Sequence, residues 1–414
     1  MKSALYLCLL LLGLQAQGQQ QEQQIHHSPE DQPQANCGNL PYVKLAPSNA
    51  DFAFKLYKQI RDDLGEGNIF FSPLSISTAF SMLTLGARSN TLRELYKGLA
   101  FNLTHIEEQE IHKGFQRILQ LLNNPHREAQ LNMGNALFID NQVELLQNFL
   151  DHLTNLYYAE AVSSNFHNPP EAIREINKYV ETKTHGKIVD LVKNLGPETV
   201  MVLINYIYFK GDWEKPFKPE HTEEREFFVD AETTVKVPMM YQMGIFDFYF
   251  DEELSCTVVR LHYNGSATAF LVLPAKGKME QLEQTLDKET IQKWSDHLFQ
   301  SFMNLYFPKF SISGSYEISN TLKKMGIVHV FTNQADLSGI TGTPELKVST
   351  VIHKASLDVD EKGTEAAAAT AVEIMPVAFP PTIEFSHPFL MLIFDRDTNS
   401  TLFIGKIVNP AVTS

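Results

Sequence analysis

Residues 360–382 read DEKGTEAAAATAVEIMPVAFPPT, and this stretch carries an alternating pattern. Every second side chain is small or apolar and uncharged in the set Thr364, Ala366, Ala368, Thr370, Val372 and Ile374. The two glutamates of residues 364–375 fall in the other set, Glu365, Ala367, Ala369, Ala371, Glu373 and Met375. A strand points alternate side chains to opposite faces. The pattern therefore predicts a β-strand with one face suited to a core, preceded by the backbone freedom of Gly363.

Two other interpretations of the same stretch stay open on pattern alone. An alanine run is the best helix former, and the segment could also be a linker. Against a helix, valine, isoleucine and threonine follow in one register. Pro376, Pro380 and Pro381 would end a helix or a strand soon afterwards.

Several motifs, in the same order along the chain, make the sequence similar to the serpin family of protease inhibitors. The resemblance spans about Ser48 to Pro410, and residues 360–367 resemble the hinge of inhibitory serpins. Other matching motifs are Asn68–Pro73, Asn205–Gly211, Trp213, His387–Phe389 and Leu402–Lys406, whereas Ser386 departs from the Asn or Asp usual in the family. The resemblance implies an α+β serpin fold, with helices packed on three β-sheets and an exposed reactive-centre loop at about 361–382.

The resemblance also implies a suicide mechanism against a serine protease. The protease attacks a bait bond and forms an acyl-enzyme, and the freed loop then inserts as a new strand in the main sheet. Residues 364–375 would form a strand of roughly 40 Å. The family's hinge maps onto Gly363, Thr364, Glu365, Ala366, Ala367, Ala368 and Ala369.

Counting along the matched loop puts the bait bond at Val377-Ala378, flanked by Met375 and Pro376. Valine suits a shallow apolar specificity pocket, so we expect an elastase-like target. No Lys or Arg lies between Gly363 and Thr382 to attract a trypsin-like enzyme.

Two further sets of residues are carried over by the same resemblance. Ser72, Ser75, Asn205 and His353 match the polar cluster under the main sheet, where its strands part. Glu361 and Lys309 match a gate salt bridge at the top of that sheet.

The remainder of the chain predicts export and a single domain. Residues 1–18 read as a signal peptide, with Lys2, an apolar run and a small-x-small cleavage site. Residues 19–47 are predicted to be a flexible, Gln-rich tail, and 48–414 a single domain.

Hydrophobic periodicity and capping residues predict the elements of that domain. Helices are expected from Ser48, from Ser72 to about Gly86, and over 91–99, 105–123, 146–157 and 169–185. Strands are expected over 199–209, 245–273 with a turn at Asn264-Gly265, 302–312, 346–359 and 389–408.

Composition argues against several classes of partner. A net charge of −15 argues against nucleic acid or an anionic membrane as the main partner, although a local basic patch stays possible. We expect a secreted, extracellular monomer. Asn102, Asn264 and Asn399 head sequons and are candidate glycosylation sites.

The motifs of common enzymes and cofactor sites do not occur in the sequence. It contains no G-x-S-x-G, H-E-x-x-H, P-loop or G-x-G-x-x-G, so we expect no enzymatic activity, no cofactor and no metal. Cys37 and Cys256 remain after the signal; we favour two unpaired thiols, although a bridge is possible.

Two rival functions stay open. The first is a non-inhibitory serpin that carries a hormone or acts as a chaperone. Such members tend to have bulky, proline or charged hinge residues, whereas Ala366 to Ala369 are all alanine. The second, a hydrolytic enzyme, would reveal itself by turnover of a small substrate.

Overall fold

In a computed structural model that describes residues 40–124, 130–362 and 380–412, helices predominate before residue 200 and strands after it. The helices in these ranges are α1 Pro41–Leu64, α2 Pro73–Thr84, α3 Ser89–Gly98, α4 Glu108–Leu122, α5 Gln147–Tyr157, α6 Pro169–Lys183, α7 Met279–Thr285, α8 Lys288–His297, α9 Ser319–Lys324 and α10 Ser338–Thr341. Short 3-10 turns lie at Pro219–His221 and His329–Phe331.

The strands complete an α+β architecture, as the sequence predicts. In the described residues they are β1 Ile69–Phe71, β2 Gln130–Asp140, β3 Glu160–Ser164, β4 Met201–Lys210, β5 Glu223–Phe228, β6 Thr234–Asp251, β7 Cys256–His262, β8 Ala267–Pro274, β9 Phe299–Pro308, β10 Phe310–Glu317, β11 Thr350–Val359, β12 Thr382–Glu384, β13 Phe389–Asp395 and β14 Ser400–Ile407.

Helix ends follow local sequence signals. The Ser72 side chain accepts a hydrogen bond from the Ser75 backbone N–H at 3.2 Å, and proline follows at the first position of α2. Glu107 and Glu110 form a reciprocal capping box at the start of α4.

The first helix corrects one predicted boundary. α1 begins at Pro41, inside the segment 19–47 that the sequence analysis assigns to a flexible tail. Its first turns are anchored because Leu45 is fully buried and lies against Gly114 of α4. Residues 1–39 lie outside the described part of the chain.

One sheet in the described residues has nine strands, in the order β1-β14-β13-β8-β7-β6-β9-β12, with β5 paired to β6. The resemblance predicts three sheets, whereas the described strands form two. The reason is the 18-residue β6. It pairs with β5 through Thr234–Met239, with β9 through Met239–Phe248 and with β7 through Asp247–Asp251. It therefore joins into one ladder the strands that would otherwise form two separate sheets.

The second sheet has five described strands, in the order β10-β11-β4-β2-β3. Its central pair, β4 and β11, is parallel, with Val202–Phe209 opposite Thr350–Leu357. We call this pairing the β4–β11 seam. The outer neighbours β2 and β10 run antiparallel to β4 and β11 respectively.

Two packed cores hold these layers. The larger core lies between the helices and both sheets and includes Phe52, Phe80 and Phe403. A smaller one lies where α6 covers the five-stranded sheet, with Ile176 and Val180 against Ile204. Ile352 of β11 also belongs to this smaller core, so both sides of the seam contribute to it.

The strand predictions succeed where the turn chemistry is plain. Asn264-Gly265 turns the β7–β8 hairpin, with Tyr263 N–H bonded to the Ala267 carbonyl at 3.1 Å and Gly265 at φ +88°. The strand expected over 302–312 is present but is interrupted. It divides at Lys309 into β9 and β10, which belong to different sheets.

Among the described residues, no helix combines the length and apolarity needed to cross a membrane.

Candidate functional site

The polar cluster lies under the middle of the β4–β11 seam. Asn205 of β4 and His353 of β11 are register partners, and both side chains are fully buried. Ser72 and Ser75 reach them from the start of α2 and are also fully buried. The structure therefore brings together the four residues singled out in the sequence.

Hydrogen bonds from side chains and from the Ser72 backbone join the four residues into one network. Asn205 Nδ2 donates to Ser75 Oγ at 2.5 Å and lies 3.1 Å from the Ser75 carbonyl oxygen. Asn205 Oδ1 lies 2.5 Å from His353 Nδ1, and the Ser72 backbone N–H donates to His353 Nε2 at 3.1 Å. Each ring nitrogen of the histidine thus has a specific partner.

These partners select one protonation state of His353. Nε2 accepts from a backbone N–H, so the proton belongs on Nδ1, which donates to the Asn205 carbonyl oxygen. Burial lowers the pKa of His353 to about 3. If Nε2 were protonated, its N–H would face the Ser72 backbone N–H, and neither group could accept a hydrogen bond. The network therefore requires the neutral ring.

The same row of the sheet contains a residue that sequence reasoning missed. Asn135 of β2 is the register partner of Asn205, is buried, and accepts from Asn205 Nδ2 at 2.6 Å. On the other side, Tyr316 of β10 is opposite His353 and stacks on it at 6.3 Å. The available signal was an asparagine placed directly before the apolar run Ala136–Ile139.

The gate salt bridge lies just beyond the C-terminal end of β11. Lys309 Nζ is 2.7 Å from Glu361 Oε2, and Thr222 Oγ donates to Glu361 Oε1 at 2.8 Å. The Glu361 side chain is only 9% exposed, whereas that of Lys309 is 44% exposed. Burial by itself would raise the pKa of Glu361, but the bonds from Lys309 and Thr222 lower it below its usual value.

The neighbouring residue holds a second set of contacts. Trp213 Nε1 donates to the Asp360 carbonyl oxygen at 3.0 Å, and Lys210 Nζ lies 3.4 Å from the Asp360 carboxylate. Thr222 and the indole of Trp213 were not predicted as partners of this end of the loop. Both come from the connection between β4 and β5, so only the folded chain brings them here.

The other end of the loop returns to the nine-stranded sheet. β12 pairs in parallel with β9, with Thr382 opposite Asn304. The Asn304 backbone N–H donates to the Pro381 carbonyl at 2.9 Å, and its Nδ2 lies 3.4 Å from the Pro380 carbonyl oxygen. The two ends of the loop are therefore attached to different sheets.

The predicted hinge, Gly363 to Ala369, lies outside the described residues. So do Met375, Pro376 and the bond Val377-Ala378. Of the residues predicted for the reactive-centre loop, 361–362 and 380–382 are described.

The candidate glycosylation sites differ in setting. Asn102 and Asn399 are exposed, and Asn399 has φ +50°. Asn102 Oδ1 accepts from the Thr104 backbone N–H at 3.0 Å and from its hydroxyl at 2.7 Å. Asn264 is half-buried in the β7–β8 turn, where its backbone N–H donates to the Asp212 carbonyl at 2.7 Å.

The described residues include one cysteine, and their possible metal ligands are dispersed. Cys256 is a free thiol in the interior, and burial raises its pKa to about 12. Cys37 lies outside the described residues. Within residues 40–124, 130–362 and 380–412, no group of three or more His, Cys, Asp or Glu side chains is placed to hold a metal ion.

The family model for Serpin (serine protease inhibitor) matches residues 47–410. The chain is a serpin. It is 50% identical to alpha-1-antiproteinase 2 of the horse, Equus caballus, over 89% of this chain and 87% of that protein. It is 51% identical to alpha-1-antiproteinase of Bos taurus, over 89% and 88% of the two chains. The similarity thus covers nearly the whole serpin and supports protease inhibition.

Solved structures agree with the fold. This serpin matches human thyroxine-binding globulin, solved as a complex with thyroxine, with a TM-score of 0.85 and 44% identity, over 90% of this chain and all of that one. It matches human glycosylated kallistatin with a TM-score of 0.84 and 44% identity, over 89% and 99% of the chains. The α+β serpin fold implied by the motifs is therefore confirmed.

Proposed function

We propose that this serpin is a secreted inhibitor that traps elastase-like serine proteases irreversibly, by inserting its cleaved reactive-centre loop into the five-stranded sheet. The observation that carries the proposal is the β4–β11 seam, a parallel pair at the centre of that sheet. A strand antiparallel to both could enter there. It would replace one parallel ladder by two antiparallel ones, which are slightly more stable per residue.

The connection of the chain gives the incoming strand that direction. The loop leaves the C-terminal end of β11, so when it folds back into the seam it runs antiparallel to β11 and β4. The uncharged set that begins at Thr364 would then face the core, and the set with both glutamates would face outwards.

Cleavage is needed because the other end of the loop is tied elsewhere. β12 pairs with β9 in the nine-stranded sheet, and Asn304 holds Pro380 and Pro381. Cutting Val377-Ala378 frees the first part of the loop from this anchor. The acylated protease would be carried along with it, over roughly 40 Å for residues 364–375.

Two sets of contacts hold the seam closed until that moment. The polar cluster bridges the two strands from below, and the contacts of Asp360 and Glu361 bind the end of β11. Directional hydrogen bonds of this kind oppose strand separation but can be exchanged for others, so the active form would persist by a kinetic barrier.

Target preference rests on the bait residue. Val377 is a β-branched aliphatic side chain of medium size, which fits a shallow apolar pocket. The chain therefore suits elastase-like enzymes better than trypsin-like ones. Valine also resists oxidation, whereas Met375 two residues earlier does not.

The proposal also includes export, a monomeric state, glycosylation and the bounds of the domain. Residues 1–18 would be removed as a signal peptide, and the mature protein would act outside the cell as a monomer with glycans at Asn102, Asn264 and Asn399. The serpin domain would extend to residue 414. We place its start at about residue 40 instead of at Ser48, because α1 begins at Pro41.

A carrier of a small ligand is the second candidate. It is favoured by the 44% identity to thyroxine-binding globulin and by an open cavity of about 330 Å³ lined by Trp213, Arg260 and Arg396 among others. Its size lies at the lower end for ligand sites. The alanine-rich hinge favours inhibition instead, because those side chains can enter a sheet without steric conflict.

The deciding experiment is incubation with pancreatic elastase, followed by a denaturing gel and mass spectrometry of the released peptide. We expect a covalent band of the summed mass and a peptide that begins at Ala378. The matched variant Val377→Arg should form that band with trypsin and lose it with elastase. Clean cleavage without a covalent band would contradict inhibition and favour the carrier.

A further inference from the structure

A motif for protein phosphorylation lies on β10, at the edge of the five-stranded sheet. Ser315 is followed by Tyr316 and Glu317. Serine kinases of the secretory pathway prefer a glutamate at the second position after the serine that they modify. In this sequence Ser28 and Ser315 have that glutamate. Ser28 lies outside the described residues, whereas Ser315 has a defined position in the fold.

The strand presents Ser315 to solvent. β10 is the outermost described strand on its side of the sheet, and an edge strand offers an extended backbone to another protein. Ser315 is exposed, and in the part of the chain that the structure describes its hydroxyl has no hydrogen-bond partner. Tyr316 points to the opposite face, where its hydroxyl accepts from the Phe70 backbone N–H at 3.0 Å and anchors the strand. Kinases bind substrates as extended segments, so Ser315 suits modification of the folded protein.

The recognition residue Glu317 lies on the same face as Ser315, because the two are two residues apart. It is exposed. Its Oε1 accepts from the Ser319 backbone N–H at 3.1 Å and from Thr350 Oγ1 at 3.2 Å. Among the described residues these contacts involve Oε1 alone, so Oε2 remains for a kinase.

A lysine lies opposite Ser315. Lys354 of β11 is its register partner, and such side chains have Cβ atoms about 5 Å apart. Lys354 Nζ donates to the Val189 carbonyl at 3.2 Å, and no carboxylate of the described residues forms a salt bridge with it. Burial lowers the pKa of Lys354, and the charge of Lys193 lowers it further, against a smaller opposing effect of Asp190. This part of the face therefore favours an added negative charge.

A phosphate on Ser315 would supply that charge. Phosphoserine carries about −1.5 to −2 charges at neutral pH and has three strong acceptor oxygens. It would offset the repulsion between Lys354 and Lys193. Glu317 opposes the new charge, but it lies two residues further along the strand, whereas Lys354 is directly opposite.

The Lys354 contact joins both strands of the β4–β11 seam. Lys354 belongs to β11, and Val189 lies in the connection between α6 and β4. Ile188 beside it is buried in the smaller core under α6. An ammonium group has three donors, so Lys354 can bind a phosphate and keep its bond to the Val189 carbonyl. Neutralising Lys354 should therefore stabilise the closed seam from its outer face.

We propose that Ser315 is a phosphorylation site and that Lys354 binds the phosphoserine across the β10–β11 pair. The co-reactant is ATP. The Ser315 hydroxyl oxygen bonds to the γ-phosphorus, the bond from that phosphorus to the β-phosphate oxygen breaks, ADP leaves, and the hydroxyl proton passes to a base of the kinase. The inference rests on the proposed function for export alone, which brings the chain to kinases of the secretory pathway.

Phosphorylation is tested on the folded, purified protein with ATP and a secretory-pathway kinase of Ser-x-Glu specificity. Mass spectrometry of the tryptic peptide 310–323 should place the phosphate on Ser315. Glu317→Gln keeps the size of the side chain and its Oε1 contacts but removes its charge, and should slow the reaction about tenfold. Protein secreted by mammalian cells is measured in the same way. Absence of phosphate on Ser315 in both preparations would overturn the proposal.

Ser311 provides the matched control. It is exposed on the same face of β10, but it is opposite Asp358 and donates to Asp358 Oδ1 at 2.7 Å. Ser313, not a glutamate, is the second residue after it. Ser311→Ala should be phosphorylated as the wild type is, and Ser315→Ala should leave peptide 310–323 unmodified. Equal modification of Ser311 and Ser315 would contradict recognition through the motif.

The role of Lys354 is tested by the melting temperature at one scan rate. Phosphorylation should raise the melting temperature of the wild type by about 1–2 °C, since the new pair is partly exposed. In Lys354→Met the same modification should give no rise, because Glu317 then repels the phosphate without compensation. An equal rise in both proteins would show that Lys354 does not bind the phosphate.

The proposed function is judged separately, with active elastase on a denaturing gel and with both the phosphorylated and the unmodified protein. If neither form gives a covalent band while phosphate is present on Ser315, the trapping mechanism fails and the phosphorylation site stands.

Discussion

The two sheets of this serpin each contain a buried strand pair, and the two pairs are held together in different ways. In the nine-stranded sheet, β13 and β14 are antiparallel and almost entirely buried, and Phe403 of β14 stacks on Phe70 at 5.1 Å. In the five-stranded sheet, the β4–β11 seam is parallel and rests on a row of buried polar groups around Asn205 and His353.

The difference indicates which sheet can change. Apolar packing has no substitute once two strands separate, because the exposed surface meets water. Hydrogen bonds between strands can be exchanged for equivalent bonds to a new strand. The polar cluster lies beneath the strand pair at which we propose that this exchange occurs. Under the proposed mechanism, the seam would therefore be the place where strand insertion costs least, and the nine-stranded sheet would stay fixed.

Blocking the seam with a charge should have the largest effect. Ala368→Arg puts a cation in the register that would face the core, where an unpaired charge is costly. We expect loss of the covalent elastase complex by more than about a hundredfold, with the protein cleaved as a substrate. Ala369→Arg is the matched control, since its side chain would face solvent and the complex should form. If both variants inhibit equally, the predicted register is wrong.

A cavity in the core beside the nine-stranded sheet should lower the stability of the protein without changing the inhibition mechanism. Phe403→Ala removes a fully buried ring that contacts Phe70 and Phe209. We expect a loss of about 3–5 kcal/mol in the free energy of unfolding, measured with guanidinium chloride. The folded fraction should still give covalent complex at the wild-type ratio. A change in that ratio would mean that the two sheets are not independent.

Loss of the polar cluster under the seam should instead affect how long the inhibitory form persists. Asn205→Ala leaves His353 and Asn135 without their shared partner, at about 2–4 kcal/mol for buried polar groups left unpaired. We expect faster loss of elastase inhibition at 45 °C, with intact protein recovered as inserted or self-associated forms. Unfolding without such forms would argue that the cluster is only a packing element.

Acid should open the seam through His353. Its pKa is about 3 when buried, against a usual value of 6.5, so above pH 6.5 the ring is neutral in both the closed and the opened state. Between pH 6.5 and 3 only the opened state binds the proton, so the closed state loses up to about 1.4 kcal/mol per pH unit as the pH falls. Inactivation rates measured across this range, with activity assayed at neutral pH, should rise accordingly.

A second histidine provides the control for this pH profile. Burial, and then the charge of His152, lower the pKa of His112 to about 4, yet this residue lies in α4, away from the seam. His112→Gln should leave the pH dependence of inactivation in place, whereas His353→Gln should flatten it. The opposite result would move the acid-sensitive element to α4.

The smallest effect is expected at the gate salt bridge. Lys309→Met leaves buried Glu361 with the Thr222 hydroxyl as its remaining side-chain partner. Because Lys309 is 44% exposed, the pair is worth about 1 kcal/mol or less. Inactivation at 45 °C should accelerate by about fivefold at most. No acceleration would show that Trp213 and Lys210, through Asp360, hold this end of β11 unaided.

Sequence reasoning succeeded where a motif or a local signal was present. The serpin motifs predicted the α+β fold, and Ser72-Pro73 marked the start of α2. It failed where the outcome depended on distant partners. The strand expected over 302–312 is interrupted at Lys309, because β9 pairs with β6 in one sheet and β10 pairs with β11 in the other. Asn135 was missed because its role depends on lying opposite Asn205, about 70 residues away.

The sequence by itself determined the family and the alternating pattern of 364–375, and it carries the prediction of Val377 as the bait residue, because each of these depends on motifs of consecutive residues. The tertiary structure decided which strands meet, which polar groups share a buried row and which lysine lies opposite Ser315. Those features depend on register between strands far apart in the chain, and a shift by one residue would turn each side chain to the opposite face.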